Sequence, residues 1–245
     1  GEAIKVFVVR NDPMLTEGVD SIPYAMPYLR VEGLVSDHGI PVGVWRSVGH
    51  SQNAFFSESF VDEVAHALGE DPVRFRLERL PADSRVRGAL ELLVARGGWG
   101  SAPEGVCQGV AVHESFSSVV AEQVEVVMEN GAPVVRRVVC AVDCGVVINP
   151  DIVRMQLESA VLFALSAALH GEITIRDGAV VQGNFDDYPL VRIDACPEVE
   201  VHFVATERAP NGIGEPGVPP LAPALANAIF AATGKRLREL PLRLS

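Results

Sequence analysis

The stretch that most constrains this chain runs from Cys107 to Val142, "CQGVAVHESFSSVVAEQVEVVMENGAPVVRRVVCAV". Valine recurs through it without a helical period, and an Asn130-Gly131 pair separates two valine-rich runs. Asn-Gly is a strong hairpin signal, because both residues tolerate the positive φ that a type I′ turn requires. The pattern predicts strands over 107–142 with a tight turn at 130–131.

Helical periods lie on both sides of these strands. In "SESFVDEVAHALGEDPVRFRLERL", Phe60, Val61, Val64, Ala65 and Leu68 repeat every three to four residues, with Ser57 or Ser59 as N-cap and Gly69 as stop. Asp71-Pro72 opens a second, short helix, and "RVRGALELLVARGGW" is a third, ended by Gly97-Gly98. After the strands, "NPDIVRMQLESAVLFALSAALHG" is a long helix opened by Asn149, Pro150 and Asp151 and closed by Gly171. Two short strands flank Asp177-Gly178, "EVEVHFVAT" is a further strand, and "LAPALANAIFAATG" is a last helix with Gly234 as its C-cap. "AIKVFVV" (3–9) and "YLRVEGLV" (28–35) read as strands. "PVGVWRSVGHSQNAFF" (41–56) has neither period and reads as a compact polar loop flanked by aromatics, a reasonable place for a site. Strands and helices do not alternate as βαβα, so the expected class is α+β. The chain is expected to form one unit over 1–245, with two intertwined subdomains at about 1–100 and 101–245.

Bulk properties exclude some functions. A hydrophobic content of 48% with 21% charged residues describes a globular chain. A formal net charge of -12 argues against a nucleic-acid backbone or an anionic membrane surface as partner. "AVLFALSAAL" (160–169) is too short to span a bilayer by itself and reads as a buried helix. "GEAIKVFVVR" lacks a basic region followed by an apolar core, so no signal peptide is expected from it. Cys140 and Cys144, if in one strand, would stand roughly 13 Å apart at 3.3 Å per residue and would share neither metal nor disulfide. No metal ligands are expected. His113 stands without a second ligand at metal spacing and reads as a packed, hydrogen-bonded histidine.

The loop "NGIGEPGVPP" (211–220) contains G-x-G-x-x-G at Gly212, Gly214 and Gly217. A dinucleotide fingerprint needs a second strand carrying an acidic residue about 20 positions on, and the chain has no room for it. Glu215 would place negative charge against a pyrophosphate, and Pro216 offers it no N–H. Two readings of the residues stay open: the glycines let the backbone pass close to something at which Glu215 points, or Glu215 is a solvated loop carboxylate.

Three ordered segments carry a resemblance: "GVWRSVGHSQNAFFSESFVDEVAHALGEDPVRFRL", "GVAVHESFSSVVAEQVEV…VVCAVDCGVVINPDIVRMQLE" and "GIGEPGVPPLAPALANAIFAATGKRLRELP". Together they resemble the C-terminal part of the molybdenum-cofactor-binding large subunit of the xanthine dehydrogenase/aldehyde oxidase family, in its isoquinoline 1-oxidoreductase-like branch. The resemblance implies that the fold is the C-terminal portion of that molybdopterin-binding domain. It implies oxidation of an N-heterocycle or aldehyde with water as oxygen source, and Glu215 as the general base. It implies cofactor contacts from Gln156, Arg46, Ser47, Val48 and Gly214, beside Trp45, with backbone amides of the "WRSVG" loop donating to the group. The implied cofactor is molybdopterin in its cytosine dinucleotide form with molybdenum, shared with a chain that carries the N-terminal part of the subunit. The implied 2Fe-2S clusters lie in a separate iron–sulfur subunit. Family members acquire cofactor in the cytoplasm, the favoured compartment, and some are exported after assembly to the periplasm.

The sequence also departs from the family. The upstream glycine-rich motif and other pterin loops are absent, as are the cluster cysteines, so the chain is expected to be a separately encoded or processed fragment. Ser159 and Ala160 stand where two small residues, often glycines, are usual. The alternative function is a non-catalytic subunit that completes a partner's cofactor-binding fold.

Overall fold

A computed structural model describes residues 13–34, 39–40 and 43–244. The strand expected at 3–9 lies outside them. The elements are α1 (Val48–Ala67), α2 (Pro72–Arg79), α3 (Arg85–Gly97), β1 (Cys107–Ser115), β2 (Ser118–Glu129), β3 (Ala132–Asp143), α4 (Pro150–Leu169), β4 (Ile175–Arg176), β5 (Ala179–Val180), β6 (Glu198–Phe203) and α5 (Leu221–Thr233). This is the mixed helix and sheet class expected from the sequence.

The hairpin anchors the sheet. Asn130 and Gly131 adopt φ of 51° and 81°, and β2 pairs antiparallel with β3 in a register that opposes Val124 to Val138. β1 joins β2 through Phe116 and Ser117, also at positive φ, a turn with no Gly or Asn to announce it. β6 adds parallel to β3 after the α4 crossover, giving the order β1-β2-β3-β6.

Both faces of this sheet are covered, which explains near-continuous valine in place of strict alternation. Val120, Val124, Val138 and Cys140 face α4 and α5 in one core. Val110, Val112, Ala121, Val139 and Ala141 face α1, α2 and α3 in the other. α5 lies directly on β1: a Cβ at Gly109 would stand 2.2 Å from both the Ala224 carbonyl oxygen and the Ala228 nitrogen. Glu122 is buried in the first core, where burial pushes its carboxyl well above the usual range and the Cys140 thiol bonds it. All four cysteines are free, with Cys140 and Cys144 buried.

Local signals and structure agree at most caps. The Asp71 carboxylate accepts from the Arg74 N–H, Asn149 Oδ1 accepts from the Asp151 and Ile152 N–H groups, and Gly98 and Gly234 close their helices at positive φ. Two expectations fail. Residues 28–34 form no strand and pair with no sheet edge among the described residues, and Val35 lies outside them. Helix α1 starts at Val48, nine residues before Ser57, the nearer of the two expected caps, Ser57 and Ser59. Ser57 lies inside the helix and donates to the Asn53 carbonyl at 2.8 Å. The early start is held by distant groups. The Asn53 amide donates to the Leu15 and Glu17 carbonyls, and Glu17 Oε2 accepts from the Gly49 N–H at 3.1 Å. A carboxylate at the positive end of the helix is the expected partner, but it comes from another segment.

Candidate active site

The site assembles where the start of α1, the second turn of α4 and the 211–220 loop meet. Ser47 and Val48 adopt φ of 68° and 40°, uncommon for any residue with a Cβ and costly for branched valine. This turn is over-determined by hydrogen bonds. The Val48 N–H donates to the Trp45 carbonyl at 2.8 Å. The Arg46 carbonyl accepts from the Ser47 and Ser51 hydroxyls at 2.6 and 3.0 Å. The turn aims the Ser47 N–H at Glu215, which accepts it through Oε1 at 3.0 Å.

Arg46 ties the three segments together. Its Nε donates to the Gly214 carbonyl at 2.7 Å, one terminal nitrogen to Ser159 Oγ at 3.1 Å, and the other to Gln156 Oε1 at 3.4 Å. A planar guanidinium supplies such divergent donors from a fixed fork. Partial burial lowers its pKa and the Glu215 charge opposes that shift; arginine remains charged. The Phe163 ring sits 5.5 Å from the guanidinium and 4.6 Å from the Trp45 ring.

The glycine loop is fastened on both sides. The Asn211 N–H donates to the Cys144 carbonyl at 2.8 Å, and Ser118 Oγ to the Gly212 carbonyl at 2.8 Å. A Cβ at Gly217 would come within 2.8 Å of Leu157 Cδ2 and 2.9 Å of Ala160 Cβ, so this glycine is required for close approach to α4. At Gly214 a Cβ would meet only Gln156 Oε1 at 3.9 Å. None of the three has positive φ. Glu215 is half-buried, and after Ser47 has bonded Oε1, its Oε2 has no protein partner among the described residues.

The structure therefore brings Glu215, Gln156, Arg46, Ser47 and Gly214 together, with Trp45 beside them. Val48 shapes the turn. One expectation is corrected: the Ser47 and Val48 amides do not point outward to donate to a bound group, because Glu215 and the Trp45 carbonyl already take them. Ser51 and Glu17 were not singled out from sequence; each contributes a single oxygen from a position with no local pattern. Ser159 was noted only as a small residue near Gln156, and its hydroxyl accepting from Arg46 was not foreseen. His113 is buried on β1 and shares a 2.9 Å hydrogen bond with His50 Nδ1. Burial, then the neighbouring His50, pulls its pKa down to about 3, so it is neutral.

A family model described as the molybdopterin cofactor-binding domain matches residues 91–197. The isoquinoline 1-oxidoreductase subunit beta of Brevundimonas diminuta is 34% identical over 228 residues, covering 91% of this chain and 29% of the relative. The chain belongs to the xanthine dehydrogenase/aldehyde oxidase family. A membrane-bound aldehyde dehydrogenase of Gluconacetobacter polyoxogenes, named with pyrroloquinoline quinone, is 31% identical over 96% of this chain and 35% of its own. Aldehyde oxidoreductase from Desulfovibrio gigas superposes with a TM-score of 0.77 at 12% identity, over 98% of this chain and 45% of that one. That likeness speaks to the fold. The chain spans about a third of the length of the relatives it matches.

The residues present fit one side of a molybdopterin. Gln156 Nε2 is a donor without a protein partner among the described residues, on an otherwise apolar helix face beside a cation and a carboxylate with one free oxygen. In this family the group is the cofactor that such donors would hold.

Proposed function

We propose that this chain is the part of a molybdenum hydroxylase that supplies the active-site base, acting on an N-heterocycle or aldehyde with water as oxygen source. The observation that carries the proposal is the asymmetric carboxylate of Glu215. One oxygen is fixed by the Ser47 N–H at 3.0 Å, and the other is left for a proton. A base must be within hydrogen-bond reach of its proton and held there. The strained Ser47–Val48 turn and the Arg46 fork do the holding.

When bound, the cofactor would accept two electrons from the substrate. Gln156 would hydrogen-bond it through Nε2, and Arg46 would hold the Gly214 carbonyl, and with it the loop that carries Glu215, in place. The proton taken from the attacking oxygen would reside on Glu215 Oε2. The remaining pocket wall would come from the N-terminal part of the subunit, and electrons would leave through 2Fe-2S clusters of a separate subunit. The cytosine dinucleotide form of the pterin belongs to the same reading.

The test is Glu215→Gln in the assembled enzyme. Turnover should fall by about 10²–10⁴ while molybdenum and pterin content stays unchanged. Near-normal turnover with cofactor bound would favour the second reading, a chain that only completes a partner's fold. Metal and pterin analysis of the same preparation separates molybdopterin from the pyrroloquinoline quinone named for one relative.

A further inference from the structure

The first turn of α1 carries a titratable ring that the proposed role of Glu215 leaves unused. His50 stands three residues after Ser47, whose N–H holds Glu215 Oε1, and the Glu215 charge acts on the His50 ring. His50 Nδ1 shares a 2.9 Å hydrogen bond with His113 Nε2, and the two rings meet edge to face at 5.2 Å between centroids. His50 Nε2 has no protein partner among the described residues.

Several segments converge to fix this ring. His113 is itself buried on β1. Gly18, at φ of 79°, lays its backbone over the bond between the rings: a Cβ there would stand 2.6 Å from both His50 Nδ1 and His113 Nε2. Glycine alone meets both the φ and the close approach. Phe116, in the positive-φ turn between β1 and β2, packs edge to face on His50 at 5.1 Å. Two residues on, Ser118 bonds the Gly212 carbonyl, so the same turn also fastens the loop of Glu215.

The charges that act on His50 are all carboxylates: Glu17 and Asp20 from the segment before α1, and Glu215 from the loop. Burial lowers the His50 pKa, and these three oppose the shift. The ring is therefore neutral at pH 7, and a proton placed on it is stabilised from three sides. Glu17, which accepts from the Gly49 N–H, is half-buried, and Asp20 is exposed, so the carboxylates lead from the site to solvent.

We propose that His50 carries away the proton that Glu215 collects, with His113 as the positioning residue that fixes its tautomer. This rests on the proposed role of Glu215 as base. His50 holds its hydrogen on Nδ1 and donates it to His113 Nε2, which leaves the Nε2 lone pair open. The O–H bond of protonated Glu215 breaks, an N–H bond forms at His50 Nε2, directly or through one water, and the carboxylate is restored. His50 then releases that proton to water past Glu17 and Asp20. No electrons move in either transfer, and both groups end as they began.

The decisive variant is His50→Asn, whose amide keeps a donor near the place of Nδ1 and removes Nε2. In the assembled enzyme, with isoquinoline and benzaldehyde as probes of the two substrate classes, kcat should fall about tenfold or more. KM, molybdenum and pterin content should not change, and added imidazole should restore turnover. A second readout needs no turnover. Diethyl pyrocarbonate modifies neutral imidazole, and site-by-site mass spectrometry of the wild-type enzyme should find His50 modified and His113, bonded through Nε2, protected. The pH midpoint of His50 modification should move down in Glu215→Gln, because one of the three carboxylate charges is gone. Wild-type kcat in His50→Asn overturns the inference, and so does a loss that imidazole does not restore, the mark of a merely structural ring. An unreactive His50, or an unchanged midpoint in Glu215→Gln, overturns it as well. If Glu215→Gln itself turns over normally, the functional reading fails. If Glu215→Gln is inactive while His50→Asn matches wild type, only this inference fails.

Discussion

Two clusters of charge sit on the same helix, α1, and they are built in opposite ways. Towards its middle, Glu58 is buried with Arg76, at 3.0 Å between Oε2 and Nε. Glu58 also accepts from the Tyr24 hydroxyl at 2.7 Å and the Val112 N–H at 3.1 Å. Asp62 continues the network to Arg236 at 2.7 Å. Burial lowers the Arg76 pKa, but Glu58, Tyr24 and Asp62 outweigh it and the net shift is upward. Both Glu58 oxygens have partners within the chain. At the start of the helix, Arg46 and Glu215 form an open cluster in which Gln156 Nε2 and Glu215 Oε2 have none among the described residues. A carboxylate with both oxygens bonded inside the chain holds a fold, and one left half-bonded at a strained turn is free to hold something else.

The comparison breaks if the two clusters respond alike to mutation. Glu215→Gln should change turnover by about 10²–10⁴ and leave the melting temperature within about 2 °C. Arg76→Leu should do the reverse, costing about 3–5 kcal/mol because Glu58 is left as a buried, uncompensated charge. For a chain of this size that is a fall in melting temperature on the order of 10 °C, measured by calorimetry or urea unfolding. Gly217→Ala sits between the two. Its methyl would meet Leu157 and Ala160, and overpacking should cost about 1–3 kcal/mol while displacing Glu215, so both stability and turnover should suffer.

The last prediction is a pH dependence that involves neither cluster. His113 has a folded pKa of about 3, depressed first by burial and then by His50, against about 6.5 unfolded. Between these values the unfolded chain binds the extra proton. Stability is therefore full above about pH 6.5 and falls as pH drops towards 3, by up to about 1.4 kcal/mol per unit. His113→Gln should flatten that slope in urea titrations at pH 7, 6 and 5. An unchanged slope would assign the acid sensitivity to other groups.

Local chemistry made much of this legible. Asn130-Gly131, Asp71-Pro72, Asn149-Pro150 and Gly234 each act on backbone within a few residues, and each sits where its pattern placed it. The first ten residues of α1 were missed because their support is distant: Glu17 takes the Gly49 N–H that a local cap would have taken, and the Leu15 carbonyl holds the Asn53 side chain. "YLRVEGLV" misled because strand composition without a partner strand does not make a strand. The same limit applied to the site amides. The Ser47 and Val48 amides were expected to donate outward; their inward turn was not legible, because the acceptor of the Ser47 N–H lies 168 residues away.

By itself, the sequence determined the α+β order and the valine-rich strands with their turn, and it pointed to the loop that carries Glu215. These follow from turn residues, helix periods and a charge that no phosphate site would carry. Only the tertiary structure decided what Glu215 does with its two oxygens. One is spent on a backbone amide turned towards it by the left-handed Ser47, and the other is left unpartnered. Hydrogen bonds across such separations depend on how the sheet and α4 bring the segments together, and no local pattern encodes that.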